Sequence, residues 1–244
     1  MHTTSLDRWF VTDRPETAKV LLFCLPYAGG GASAFRSWRR AFPAEVGVQP
    51  VQLPGREGRI SEPGRFTAAQ VTDAILSRAD RPYAIYGHSM GARIGFEVVR
   101  EVRRRGADLP AGLFIGGARP PDLEEPLSVL ADASDADLID RVVQLGGVPP
   151  EVFEEPELRD LVLPTLRADF GWLHDYEFVA EDPLPVPMTA FAGDADADAP
   201  VAAMTQWERH AGAGFTLHTM PGGHFFLNDE LPSMAETITA ALPR

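Results

Sequence analysis

The stretch YGHSMGARIG, residues 86–95, decides how this chain reads. One serine, Ser89, stands among Gly87, Gly91, Ala92 and Gly95, and the apolar run 83–86 leads into it. The spacing Gly87-x-Ser89-x-Gly91 suits a sharp turn that lifts a side chain off the end of a strand. Small neighbours are required there because strand and helix approach closely, and the serine itself takes a strained backbone. A strand over 83–86 and a helix over 91–105 supply the strand–turn–helix context that a G-x-S-x-G nucleophile turn demands. The competing reading is a glycine-rich turn with a bystander serine.

Working outward, the pattern is one of alternation. The continuous apolar run VLLFCL, residues 20–25, reads as a buried strand of a parallel sheet. A glycine-rich loop over 27–31 follows, then a short helix over 33–42. A second strand is expected over 48–53, with Pro50 as an objection. A helix over 67–79 carries Val71, Ile75 and Leu76 on one face, and 113–116 is a further strand. Between 122 and 182 the alternation breaks. Leu138, Ile139, Val142, Val143 and Leu145, then Leu158, Leu161, Val162, Leu166 and Phe170, recur at helical intervals interrupted by prolines, which predicts several short amphipathic helices. Strand and helix resume with a strand over 187–192, a helix over 201–210, a strand over 215–220 and a final helix over 231–242. The expectation is one α/β domain over 1–244, with a mostly parallel sheet flanked by helices and a helical lid inserted at 122–182.

Composition narrows the function. The 244 residues carry a formal net charge of −13, which argues against nucleic-acid binding. The acidity is local: residues 122–182 hold 17 acidic and three basic side chains, and the remainder holds 18 acidic and 19 basic. The body keeps arginine clusters at Arg36, Arg39 and Arg40 and at Arg100, Arg103, Arg104 and Arg105. No run of about 20 apolar residues suggests a membrane span, and MHTTSLDRWF lacks the apolar core of a secretory signal. Cys24 is the sole cysteine, so no intrachain disulfide forms, in keeping with a cytoplasmic protein. Within its apolar strand Cys24 reads as a small core residue. No Cys/His cluster suggests a metal.

A serine hydroxyl needs a base. His2 is terminal, His88 sits inside the turn and is expected to face another way, His174 falls in the insert, His210 near a helix end and His218 within a strand. His224, in PGGHFFL directly after the last strand, is where a base would hang; an exposed loop histidine is the alternative. The acid should follow the preceding strand, where FAGDADADAP, residues 191–200, offers Asp194, Asp196 and Asp198. Spacing alone does not choose among them, and Asp198 also suits an acidic helix cap worth up to about 1 kcal/mol. An oxyanion hole needs two backbone donors. Met90 N–H supplies one and the loop PYAGGGAS, residues 26–33, the other, at Ala28. A phosphate-binding reading of that loop fails for want of G-K-[ST] and of the G-x-G-x-x-G spacing.

Taken in order, LPYAGGGAS, VQLPGREGRI at 51–60, YGHSMGA, LRADFGWLHDYEF, FAGDADADAP, Trp207 and GGHFFL resemble the type II thioesterases. These are stand-alone α/β-hydrolases that accompany polyketide synthases and nonribosomal peptide synthetases. The resemblance runs over nearly the whole chain and departs from the family at Tyr27, where many members have histidine. The family's G-x-x-D after the penultimate strand falls on Gly193 and Asp196, which selects Asp196. The resemblance implies a Ser89–His224–Asp196 triad with an oxyanion hole at Ala28 and Met90. It implies no cofactor and no metal, and an acyl group delivered on the phosphopantetheine arm of an acyl or peptidyl carrier protein. The expected role is editing, the removal of acyl groups that stall a synthase. The insert's leucines and Trp172 are candidates to line an acyl channel, with plain packing as the simpler reading. Two other readings stand beside it: a carboxylesterase or lipase acting on free esters, and a non-catalytic α/β-hydrolase used for binding.

Overall fold

Every residue of VLLFCL is buried, and the run forms the first strand, β1 (Val20–Leu25). A computed structural model of the chain describes residues 6–13 and 15–243. After β1 come the short helix α1 (Trp38–Ala41), β2 (Val46–Pro50), α2 (Ala68–Arg78), β3 (Tyr83–His88), α3 (Met90–Arg104) and β4 (Leu113–Gly116). Helices α4 (Asp135–Leu145), α5 (Glu151–Glu154) and α6 (Pro156–His174) then separate β4 from β5 (Met188–Gly193). The chain finishes with α7 (Val201–Met204), β6 (Phe215–Met220) and α8 (Leu231–Ala241). The six strands form one sheet in the order β2-β1-β3-β4-β5-β6, and every neighbouring pair is parallel.

The sheet has apolar matter on both faces, which is why its strands read as unbroken hydrophobic runs. Leu21, Phe23 and Leu25 face one core with Ile75 of α2 and Ile94 and Val98 of α3. Val20, Leu22 and Cys24 face the other, with Trp38 of α1 and Met234 and Ile238 of α8. Cys24 is fully buried there, and burial pushes its thiol well above the usual range.

Local chemistry sets the ends. Thr67 caps α2 in a reciprocal capping box with Gln70. Pro50 is tolerated because β2 is an edge strand and the proline is its last residue. β2 therefore starts two residues and ends three residues ahead of the expected 48–53. The helices expected over 33–42 and 201–210 are each divided, with 3₁₀ turns at Ala32–Phe35 and Thr205–His210. Pro164 does not interrupt its helix: α6 runs through it from Pro156 to His174. The ring removes the bond to the carbonyl of Asp160, but Asp160 is exposed and water can satisfy that oxygen.

Because all strands run the same way, the loops after β1, β3, β5 and β6 emerge at one edge. The chain leaves β1 for β2 on one side and continues from β3 on the other. The crevice between the β1 and β3 loops is therefore the switch point where α/β sheets bind ligands.

Candidate active site

Ser89 occupies the single residue between β3 and α3. Its backbone is left-handed, φ 52° and ψ −118°, a conformation costing a non-glycine residue about 1–3 kcal/mol. Its N–H donates to the Gly116 carbonyl at 2.8 Å, which ties the turn to the end of β4. The flanking glycines are dictated by contact. A Cβ on Gly87 would lie 2.1 Å from the Gly91 carbonyl oxygen, and one on Gly91 would lie 2.2 Å from the Leu25 carbonyl oxygen. The start of α3 is thus pressed against the exit of β1. Among the described residues the N–H groups of Ala28 and Met90 donate to no other group. Ala28 follows β1 and Met90 opens α3, so two uncommitted donors flank the same crevice.

His224 and Asp196 meet across the loops after β6 and β5. His224 Nδ1 lies 2.8 Å from Asp196 Oδ2, and both residues are buried. A carboxylate only accepts, so Nδ1 carries the proton and Nε2 is left as an acceptor. Asp196 Oδ1 accepts from the N–H groups of Asp198 and Ala199 at 2.9 and 3.0 Å. Burial raises its carboxyl, but the His224 bond and charge and these two donors outweigh that and hold it below the usual carboxylate range. Gly193 allows the two loops to touch, since a Cβ there would sit 2.5 Å from the Gly223 carbonyl oxygen. The neighbouring acids are used otherwise. Asp194 Oδ1 accepts from Gly222 N–H at 2.9 Å, and Asp198 pairs with Arg141 of α4 rather than capping α7. Ligating atoms of Asp196, Asp198 and His224 lie within 4.8 Å of one another. Each carboxylate already has an N–H donor, however, so the group is built as a hydrogen-bonded network.

Ser89 and His224 line one cavity together with Ala28, Val142, Leu145 and Phe170. Its volume is about 20 Å³, room for one water and for no acyl group. Trp172 does not line it; that ring stacks on Phe66 at 5.7 Å. His210 pairs with Asp122 at 2.9 Å away from this cavity, and His174 is exposed. His2 lies outside the described residues.

Two features escape sequence reading. The first is His88, which lies beneath the His224 loop. Its Nε2 donates to the His224 carbonyl at 2.8 Å, and its Nδ1 accepts from the Tyr86 hydroxyl at 3.1 Å. Burial, then the charge of His224, press its pKa down to about 3, so it stays neutral. The second is a buried ion pair. Asp169 of α6 takes two bonds from Arg56, each 2.7 Å, and accepts from Gly29 N–H at 2.7 Å. Arg56 also donates to the Gly30 carbonyl at 3.0 Å. Helix α6 therefore grips the glycine loop that carries Ala28. The only sequence signals were the residues themselves, in VQLPGREGRI and LRADFGWLHDYEF.

The comparisons with known proteins agree with this architecture. The family model described as a thioesterase domain matches residues 21–242. Linear gramicidin dehydrogenase LgrE of Brevibacillus parabrevis is 37% identical, covering 98% of this chain and 94% of its own. Gramicidin S biosynthesis protein GrsT of Aneurinibacillus migulanus is 34% identical, covering 96% and 93%. RedJ, a thioesterase of the prodiginine pathway in Streptomyces coelicolor, superposes with a TM-score of 0.87 at 37% identity, covering 93% of this chain and 92% of that one. With a parallel sheet, a serine turn after β3 and matches of this extent, the chain belongs to the thioesterase family and has the α/β-hydrolase fold.

Proposed function

We propose that the protein is a stand-alone editing thioesterase that hydrolyses acyl groups from the phosphopantetheine arm of carrier proteins in polyketide or nonribosomal peptide synthesis. The observation that supports this most is the shared cavity of Ser89 and His224, with His224 Nδ1 bonded to Asp196. Relatives named for gramicidin S biosynthesis and the prodiginine pathway support the substrate class. Among the described residues no helix is long and apolar enough to cross a membrane, and we place the enzyme beside its synthase in the cytoplasm.

In the proposed reaction Ser89 Oγ attacks the thioester carbonyl carbon while His224 Nε2 takes the hydroxyl proton. Asp196 fixes the imidazole tautomer and stabilises the imidazolium. The tetrahedral oxyanion accepts from Ala28 and Met90 N–H, each donor contributing about 2.7–4 kcal/mol. Collapse breaks the carbon–sulfur bond, and the imidazolium returns the proton to the departing thiol. A water, activated by the same imidazole, then attacks the acyl-serine and releases the free acid. The cavity has room for that water but for no acyl chain, so Leu127, Val142, Leu145 and Phe170 must move aside to admit substrate. Segment 122–182 thereby acts as a lid.

The name of LgrE speaks of a dehydrogenase, but this chain's glycine loop is poorly suited to a dinucleotide. Its N–H groups at Gly29, Ala32 and Ser33 already donate to Asp169, Gln52 and Glu57, and two of those acceptors are carboxylates that repel phosphate. An esterase acting on free oxygen esters uses the same chemistry. Mass spectrometry of an acyl-carrier and a matched oxygen ester, each incubated with enzyme and with Ser89→Ala, separates the readings. Preferential loss of acyl from the carrier, abolished in the variant, supports the proposal. Cleavage of the oxygen ester alone refutes it.

A further inference from the structure

The two arginine clusters have different fates in the fold. Arg100, Arg103 and Arg104 converge on Glu181, and Arg105 pairs with Asp73 and Glu101. That cluster fastens the segment before β5 onto α3 and presents little free charge. Arg36, Arg39 and Arg40 are exposed around α1 and make no ion pair with a described residue. They line a surface hollow of about 610 Å³ in which Glu57 is the only acid among the described residues.

That hollow leads to the reaction site. It shares Ser33 and Glu57 with a groove of about 370 Å³ that runs between the glycine loop and Leu161, Val162 and Thr165 of α6. The groove in turn shares Tyr27 and Gly147 with the cavity of Ser89 and His224. Exposed apolar side chains mark the same path. Of the seven large hydrophobics exposed among the described residues, Ile60 and Leu161 line the groove and Val11 lines the hollow. An apolar seam beside unpaired arginines is the composition of an interaction surface.

We propose that Arg36, Arg39 and Arg40 form the docking surface for an acidic carrier protein, whose pantetheine arm lies in the groove between the glycine loop and α6 and reaches Ser89 past Tyr27. This rests on the carrier-directed reading of the site. Charge favours this face: the protein is −13 overall, so an acidic partner is repelled from most approaches and drawn to a cluster of three arginines that no described acid pairs with.

The test compares wild type with Arg36→Glu/Arg39→Glu/Arg40→Glu on an acyl-carrier and on the same acyl group as a pantetheine thioester, which carries neither protein nor phosphate. The three side chains are exposed, and thermal unfolding checks that the variant folds. The expected result is a fall of about tenfold or more in kcat/KM for the acyl-carrier, carried by KM. The pantetheine thioester should change less than about twofold, and the wild-type rate on the carrier should drop with added salt while the variant's stays flat. Equal losses on both substrates, or no loss on the carrier at low salt, overturn the docking surface while leaving the thioesterase reading intact. A wild-type enzyme that cleaves the pantetheine thioester but not the acyl-carrier overturns the carrier-directed reading and this inference with it.

Discussion

Replacing Asp169 with leucine tests whether α6 holds the glycine loop that carries Ala28. The carboxylate is fully buried, and Arg56, 4% exposed at its side chain, pairs with no other anion among the described residues. Both Asp169 oxygens accept from Arg56, and one also accepts from Gly29 N–H. Leucine has a similar volume, so the dominant effect of Asp169→Leu is a guanidinium left buried without its counter-charge. Removing one partner of such a pair costs about 3–5 kcal/mol, a large share of the roughly 5–15 kcal/mol that stabilises a typical domain. Arg56→Met/Asp169→Leu removes the stranded charge, and replacing both partners of a buried pair by apolar residues is often close to neutral, although Gly29 N–H loses its acceptor and the Pro54 and Gly30 carbonyls each lose a donor. The double variant should therefore be more stable than Asp169→Leu alone. Urea unfolding followed by tryptophan fluorescence measures all three proteins. Activity should part from stability: both variants free the glycine loop, so kcat should fall about tenfold or more in each, as expected when a donor is misplaced. A cost below about 1 kcal/mol for Asp169→Leu, or a double variant less stable than the single one, would refute the reasoning.

The remaining predictions concern the site itself. Asp196→Asn should lower kcat by about 10⁴ by releasing the wrong tautomer of His224, whereas Asp194→Asn, which disturbs only the Gly222 bond, should stay within about threefold; steady-state kinetics compare the two. His88 is neutral in the fold down to about pH 3 but protonates near pH 6.5 once unfolded. Between those values the unfolded chain binds one more proton, so stability should decline by about 1.4 kcal/mol per pH unit as pH falls through that window. His88→Leu should flatten this slope in urea titrations, and it should lower kcat more than it raises KM because the His224 carbonyl loses its donor. Val142→Ala enlarges the cavity that Ser89 lines and should shift preference towards longer acyl chains, read as kcat/KM over a chain-length series.

The fold was legible because its chemistry is local. A strand buried on both faces must be apolar throughout, so VLLFCL could be read directly, and Gly87, Gly91 and Gly193 stand where backbones touch. Shifts of two or three residues, as at β2, reflect an edge strand that can end in proline. Pro164 misled because whether a helix survives a proline depends on whether water reaches the orphaned carbonyl. The site was legible where residues are neighbours in sequence, as around Ser89. Spacing left Asp194, Asp196 and Asp198 open, since the difference lies in which carboxylate meets His224 and which meets Gly222 N–H. The Arg56–Asp169 pair spans 113 residues and the His88–His224 bond spans 136. No local pattern encodes either, and His88, expected to face another way, supports the loop that carries His224.

The central claim is that Ser89 becomes acylated. Wild-type enzyme mixed with excess acyl thioester and quenched in acid within the first turnovers, followed by digestion and mass spectrometry of the peptide containing residues 86–95, measures this directly. The account predicts a transient acyl adduct on Ser89 that disappears once the thioester is consumed, and none in Ser89→Ala or in His224→Ala, where acylation lacks its base. An adduct on another residue, or undiminished thioester hydrolysis by Ser89→Ala, would contradict it.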